Sequence, residues 1–237
     1  MTDFIDIWSY LSREPLLWLT ATLAAYAIGD ACFRAANRMP LVNPVLIAVT
    51  LLGTLLWATG TPYADYFEGA QFVHFLLGPA TVALAVPLAL NLPRLKSALL
   101  PVVAALLAGS LTAIVTALAI ARAFGADHVL LATLAPKSTT APVAIGISDS
   151  LGGSPTLTAV LVILTGITGA VIATPLFNLL RLTDWRARGF ATGTASHGIG
   201  TARAFQVHPV AGAFAGLGMA LNAILTALIA PWVLSLF

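Results

Sequence analysis

Lys137 is one of only two lysines in the chain; it lies between Pro136 and Pro142 and is followed directly by Ser138, Thr139 and Thr140. The stretch around it is apolar on both sides. An ammonium near the centre of a bilayer costs at least about 2.5–3.5 kcal/mol on insertion scales, so it has to be solvated, paired or used. The use that fits is binding of a small carboxylate: Lys137 supplies the charge and the three hydroxyls supply donors. A half-helix starting near Pro142 would add its amide groups and the positive end of its dipole. The alternative is a lysine snorkelling from the tip of a shallow hairpin.

A second polar string, Gly193-Thr194-Ala195-Ser196-His197-Gly198-Ile199-Gly200-Thr201-Ala202-Arg203, holds the other candidates. A neutral imidazole at His197 can bond a substrate hydroxyl, and one titrating near neutral pH can carry a coupled proton. It can equally tie two helices together. Ser196 stands beside it as a further hydroxyl. Arg203 offers a two-pronged fork for a carboxylate, or serves as an anchor at the end of its segment.

The remaining polar residues have simpler explanations. Asp30 precedes Arg34 by one helical turn and suits an i,i+4 ion pair. Asp149 is expected in a turn, with pairing to Lys137 or to a coupling cation as the alternative. Asn43-Pro44 is a helix-start signal, and Asn222 suits a helix-to-helix hydrogen bond. No nucleophile with a base, no His/Cys metal cluster and no phosphate loop of recognised spacing occurs. The expectation is therefore neither an enzyme nor a cofactor protein.

The elements that hold these residues belong in a membrane. Of 237 residues, 59% are hydrophobic and 8% charged, with a mean hydropathy of +0.96, whereas a soluble domain carries about a quarter charged residues. At roughly 20 apolar residues per span, about six to eight membrane elements fit in residues 1–237 as a single domain. Continuous apolar runs cover residues 15–33, 44–59, 97–121, 156–180 and 210–236. The N-terminal residues lack a basic leader and a small-residue cleavage site, so the first span is expected to be permanent. The net charge of +2 is scattered over short loops and gives no footprint for nucleic acid. Cys32 is the one cysteine, so no disulfide forms within the chain.

Three apolar stretches are interrupted. Residues 67–92 carry Gly78-Pro79 near the middle and Pro87 beyond, which predicts two half-helices meeting inside the membrane. Residues 128–148 form two short arms around Pro136 to Pro142, neither long enough to span. Residues 189–205, with Gly193, Gly198 and Gly200 as expected break points, are too polar to face lipid. Unpaired backbone at membrane depth survives only where protein buries it or where it lines a wet cavity. Three such segments imply a shared interior cavity.

With the N-terminus outside, the loops bearing Arg34 and Arg38, Arg94 and Lys96, and Arg181, Arg186 and Arg188 all fall inside, provided the Lys137 segment enters and leaves on the outer face. A full crossing would put the last loop outside. Laying Pro79 on Pro136 also brings Thr81 onto Ser138 and Gly109 onto Gly166. Broken helix followed by long helix would then occur twice, as in inverted-repeat transporters.

Four strings, LVNPVL at 41–46, LLGPATVALAVPL at 76–88, LAPKSTTAPVAIGI at 134–147 and GTASHGIGTARAF at 193–205, carry a resemblance. Through them the chain resembles, over nearly its whole length, the LrgB/CidB family of bacterial membrane proteins, which includes the plastidal glycolate/glycerate translocator. It departs from the family pattern after Ser138. There the family places an aliphatic residue and then two threonines before the proline, which leaves open which hydroxyl reaches a ligand. The resemblance implies a multi-pass protein of the bacterial cytoplasmic (inner) membrane.

Two functions follow as expectations. The first is a secondary transporter of small monocarboxylates or 2-hydroxy acids (glycolate, glycerate, lactate or pyruvate), working by alternating access. The second is an antiholin-like modulator of murein hydrolase export and autolysis, acting with a small LrgA/CidA-type membrane protein. The polar interior favours the first, and a homodimer is the expected assembly.

Overall fold

The computed structural model describes residues 14–39, 42–76, 78–79, 82 and 99–237, which form nine helices and no strand. The chain divides into two compact units, residues 1–81 and 82–237.

In the first unit α1 (Pro15–Ala35), α2 (Pro44–Thr59) and α3 (Tyr63–Phe75) pack together. Proline opens α1 and α2, where its missing N–H costs nothing. As expected, Asn43 caps α2, its side chain accepting from the amides of Val45 at 2.9 Å and Leu46 at 3.3 Å. Gly29 lets the α1 backbone rest on Pro44; a Cβ there would stand 2.5 Å from the Pro44 carbonyl oxygen. Trp18 is fully buried and meets Tyr66 edge to face. Asp30 and Arg34 form the expected i,i+4 pair at 3.0 Å. The helix break at Gly78-Pro79 falls mostly outside the described residues; Gly78 and Pro79 themselves are helical and exposed.

The second unit is built on three long helices, α4 (Leu99–Ala123), α7 (Pro155–Leu179) and α9 (Pro209–Leu234). At 25, 25 and 26 residues they are long and apolar enough to cross a membrane, as is α1. Helices α4 and α9 run parallel: Val102 and Leu106 share a cluster with Phe214 and Leu217, Ser110 bonds Asn222, and Ile114 and Leu118 meet Ala230 and Val233. The shorter elements are α5 (His128–Leu134), α6 (Ala141–Ser150) and α8 (Trp185–Val207).

The Lys137 segment is a re-entrant hairpin. Helix α5 starts where α4 ends, and Leu131 of α5 and Ile147 of α6 both lie in the cluster at the C-terminal ends of α4 and α9. Between them the tip reaches the middle of α9, where the Ser138 carbonyl accepts from Asn222 Nδ2 at 3.2 Å. Pro136 lies in the turn and Pro142 in the first turn of α6, so proline stops one arm and starts the other.

Helix α8 is a second hairpin, entering from the opposite face. Gly189 meets Ala211 and Gly193 meets Ala215, so its first arm runs parallel to α9. Phe205 then meets Gly212, so the second arm returns antiparallel. Trp185 and His208, at the two ends, stack 4.7 Å apart. The bend lies at Ser196 and His197, the latter at φ 42° and ψ −136°. This corrects the expectation of breaks at Gly193, Gly198 and Gly200, all of which keep helical backbone. Gly193 and Gly200 serve close packing instead: a side chain at Gly193 would overlap the Ala215 carbonyl, and a Cβ at Gly200 would stand 2.5 Å from that of Ser196.

Hairpin then span therefore occurs twice, in residues 128–179 and 185–234, with opposite senses across the membrane. The two tips meet near the middle of α9. The repeat expected between residues 67–121 and 128–180 has its first half partly outside the described residues.

Candidate functional site

A cavity of about 1080 Å³ opens between α4 and the first arm of α8. Its lining runs from Leu182, Asp184 and Arg186, at the arginine-rich end of the unit, to Lys137 and Ser138 at the hairpin tip. The α4 wall is made of small residues, among them Ala105, Ala108, Gly109 and Thr112, which hold the crevice open. The α8 wall presents Ala187, Phe190, Ala191, Thr194 and Ala195.

Lys137 is half-buried, and its Nζ donates to Ser138 Oγ at 3.5 Å. Among the described residues it joins no ion pair, the two pairs found being Asp30–Arg34 and Asp184–Arg186. Asp149 is exposed at the far end of α6, about nine residues and roughly 13 Å of helix from the tip. The tip is held from behind by Asn222, whose Oδ1 accepts from Ser110 at 2.6 Å while its amide bonds the Ser138 carbonyl. This interhelical role for Asn222 is the expected one, extended to the hairpin.

The other expected residues separate into groups. Thr139 is fully buried and donates to the Pro136 carbonyl at 3.0 Å, which fixes the turn. Thr140 caps α6 through its backbone, and its buried hydroxyl has no protein partner. Ser196 packs on Gly169, and His197 Nε2 lies 2.8 Å from the Val162 carbonyl, its ring against Gly166. That contact ties the second tip to α7. The donor is Nε2–H, because a carbonyl oxygen only accepts. Arg203 lines a separate crevice of about 20 Å³ near Trp185 and Arg188. Of the expected site residues, then, only Lys137 and Ser138 line the large cavity.

Three cavity threonines, Thr112, Thr116 and Thr194, were missed from the sequence. Thr194 lies inside the GTASHG string, but nothing in its spacing distinguishes it from Thr192 or Thr201. A further feature is the base of the second hairpin. There the Arg188 guanidinium lies 4.5 Å over the Trp185 ring and bonds Asn178 at 2.6 Å, joining α7 to α8.

At the mouth, Asp184 caps α8, accepting from the Arg186 amide at 2.8 Å and from its guanidinium at 2.7 Å. The Arg186 side chain, first of all, holds the Asp184 carboxyl below the usual carboxylate range. A free aspartate titrates near pH 4 (about 3.9), so the stabilisation is present above that pH and is lost as pH falls through the lower folded value. Both side chains are largely exposed and the effect is small. Protection of the first amides of α8 against hydrogen exchange, taken relative to the intrinsic rate at each pH, is expected to fall on acidification below about pH 4. In Asp184→Ala, which removes the cap acceptor, the protection is expected to be low already and independent of pH, and a wild-type-like protection profile in that variant would refute the assignment.

The LrgB-like family pattern matches residues 22–236. Among curated proteins the chain is similar to uncharacterized protein YwbG of Bacillus subtilis (strain 168), 37% identical over 84% of this chain and 89% of the relative. YxaC of the same organism is 34% identical over 94% of this chain and 96% of its own length. Holin-like protein CidB of Staphylococcus aureus (strain N315) is 33% identical over 94% and 97%. No solved structure matches significantly.

Proposed function

The chain belongs to the LrgB-like family, and from that premise we propose that it is a secondary transporter of small monocarboxylates or 2-hydroxy acids in the bacterial cytoplasmic membrane. The observation that carries this reading is one cavity whose lining includes Lys137 and Ser138 of the first hairpin tip together with Thr194 and Ala195 beside the second. A half-buried ammonium with no carboxylate partner in the described unit is a ready counter-ion for an organic anion. Hairpins entering from opposite faces are the kind of element that exchanges access between two sides. By the positive-inside rule the end of the cavity lined by Arg186, next to Arg181 and Arg188, faces the cytoplasm.

The printed name of the staphylococcal relatives, holin-like protein CidB, supports a second reading and does so more directly than it supports any substrate. In that reading the chain is an antiholin-like modulator of murein hydrolase export, working with an LrgA/CidA-type partner. The purified protein in liposomes separates the two. The carrier reading expects saturable uptake of labelled glycolate or pyruvate, with entrapped calcein retained. Uptake equal to that of empty vesicles would sink it, and protein-dependent calcein loss would favour the pore-like alternative.

A further inference from the structure

We infer that Thr194 is a specificity-determining residue of the Lys137 site, binding the oxygen on the carbon next to the substrate carboxylate. The inference rests on the carrier reading above. It starts from a hydroxyl with nothing to bond. Thr194 is 4% exposed, and its Oγ1 is buried without a hydrogen-bond partner. Its neighbours in the same hairpin behave differently: Thr192 donates to the Arg188 carbonyl and Thr201 to the His197 carbonyl, both at 2.7 Å. A buried hydroxyl left unsatisfied costs about 1–3 kcal/mol, and such a group in a native fold calls for an explanation.

The surroundings of Thr194 supply one. Both branches of its side chain face glycines. A Cβ on Gly218 of α9 would stand 2.9 Å from Oγ1, and one on Gly109 of α4 would stand 3.2 Å from the methyl. Gly109 lines the cavity, as does Thr194 itself. Threonine in a helix divides between two χ1 rotamers, and rotation by about 120° moves the hydroxyl from the Gly218 side to the methyl position facing Gly109. Neither glycine offers a side chain that would block the exchange.

The same level of the unit holds the charge. The Lys137 hairpin tip is joined through Asn222 to Ser110, the residue after Gly109. Thr194 and the tip thus converge on one turn of α4 from two sides. A carboxylate on Lys137 and Ser138 would place its α-carbon substituent toward Thr194. A hydroxyl or keto oxygen there would satisfy the orphaned donor, whereas a hydrogen would leave it unpaired.

The test compares uptake of lactate and propionate, which differ by that one oxygen, into liposomes bearing wild type, Thr194→Val or Thr194→Ser. Wild type is expected to prefer lactate. Thr194→Val, which keeps the shape, is expected to lower that preference about tenfold, the worth of one hydrogen bond. Thr194→Ser is expected to keep it. An unchanged lactate-to-propionate ratio in Thr194→Val overturns the inference while the carrier reading stands, as does a wild type that shows no preference. Wild-type uptake of neither acid nor of glycolate or pyruvate would remove the carrier reading and this inference with it.

Discussion

Lys137→Ala is expected to reduce carboxylate uptake into liposomes by about 10- to 100-fold while leaving the protein folded and monodisperse in detergent. A charge-assisted hydrogen bond contributes about 1.5–3 kcal/mol, and among the described residues the cations lining the cavity are Lys137 and Arg186, of which Arg186 is paired to Asp184. The fold should tolerate the loss, because among the described residues the ammonium's one hydrogen-bond contact is a 3.5 Å donation to Ser138 Oγ. The tip is positioned by backbone and neutral groups instead: the Thr139 bond to Pro136 and the Asn222 bond to the Ser138 carbonyl. Removing a half-buried, unpaired charge should if anything raise thermal stability. Uptake equal to wild type in Lys137→Ala would remove this lysine from the site and leave it a snorkelling side chain. Lys137→Arg is the informative companion: it retains charge but enlarges the head group, so partial uptake with weakened apparent affinity is expected.

The largest structural effect is expected from Gly193→Val. The first arm of α8 lies directly on α9, and any Cβ at Gly193 would overlap the Ala215 carbonyl. Backbone cannot yield as a flexible side chain does, so the arm must move away from α9 or fail to insert. Overpacking of this kind costs about 1–3 kcal/mol and more where only backbone can give way. The expected result is loss of the monodisperse peak in detergent chromatography, or a large fall in unfolding temperature. Gly146→Ala in α6 is the control, since nothing lies within 4 Å of a Cβ there. Replacing that glycine inside a helix should be neutral or slightly stabilising. Equal behaviour of the two variants would contradict the packing described.

Both predictions concern segments that the sequence marks but does not fold. The five apolar runs became α1, α2, α4, α7 and α9 with ends shifted by three residues or fewer. Their length and composition are themselves the physical cause, because a lipid-facing span must be apolar for about 20 residues. The Lys137 segment was recognisable for the same reason in reverse: its arms are too short to cross and prolines bound its polar centre. The Asn43 cap and the Asp30–Arg34 pair were legible because each depends on residues at most four apart.

What the sequence by itself determined is residence in the bilayer, the places where helices must start and stop, and the presence of one costly charge at depth. Each is a local property, a sum of transfer free energies or a short-range bond. The tertiary structure alone decided that both broken segments return to the face they entered. It also put the bend of α8 at Ser196–His197 rather than at a glycine, and turned the His197 ring to the Val162 carbonyl. Those outcomes depend on which distant helix offers a gap: Gly166 and Gly169 receive His197 and Ser196, and Gly109 and Gly218 flank Thr194. Small residues on one helix select the polar residue of another, and that pairing has no spacing along the chain from which to read it.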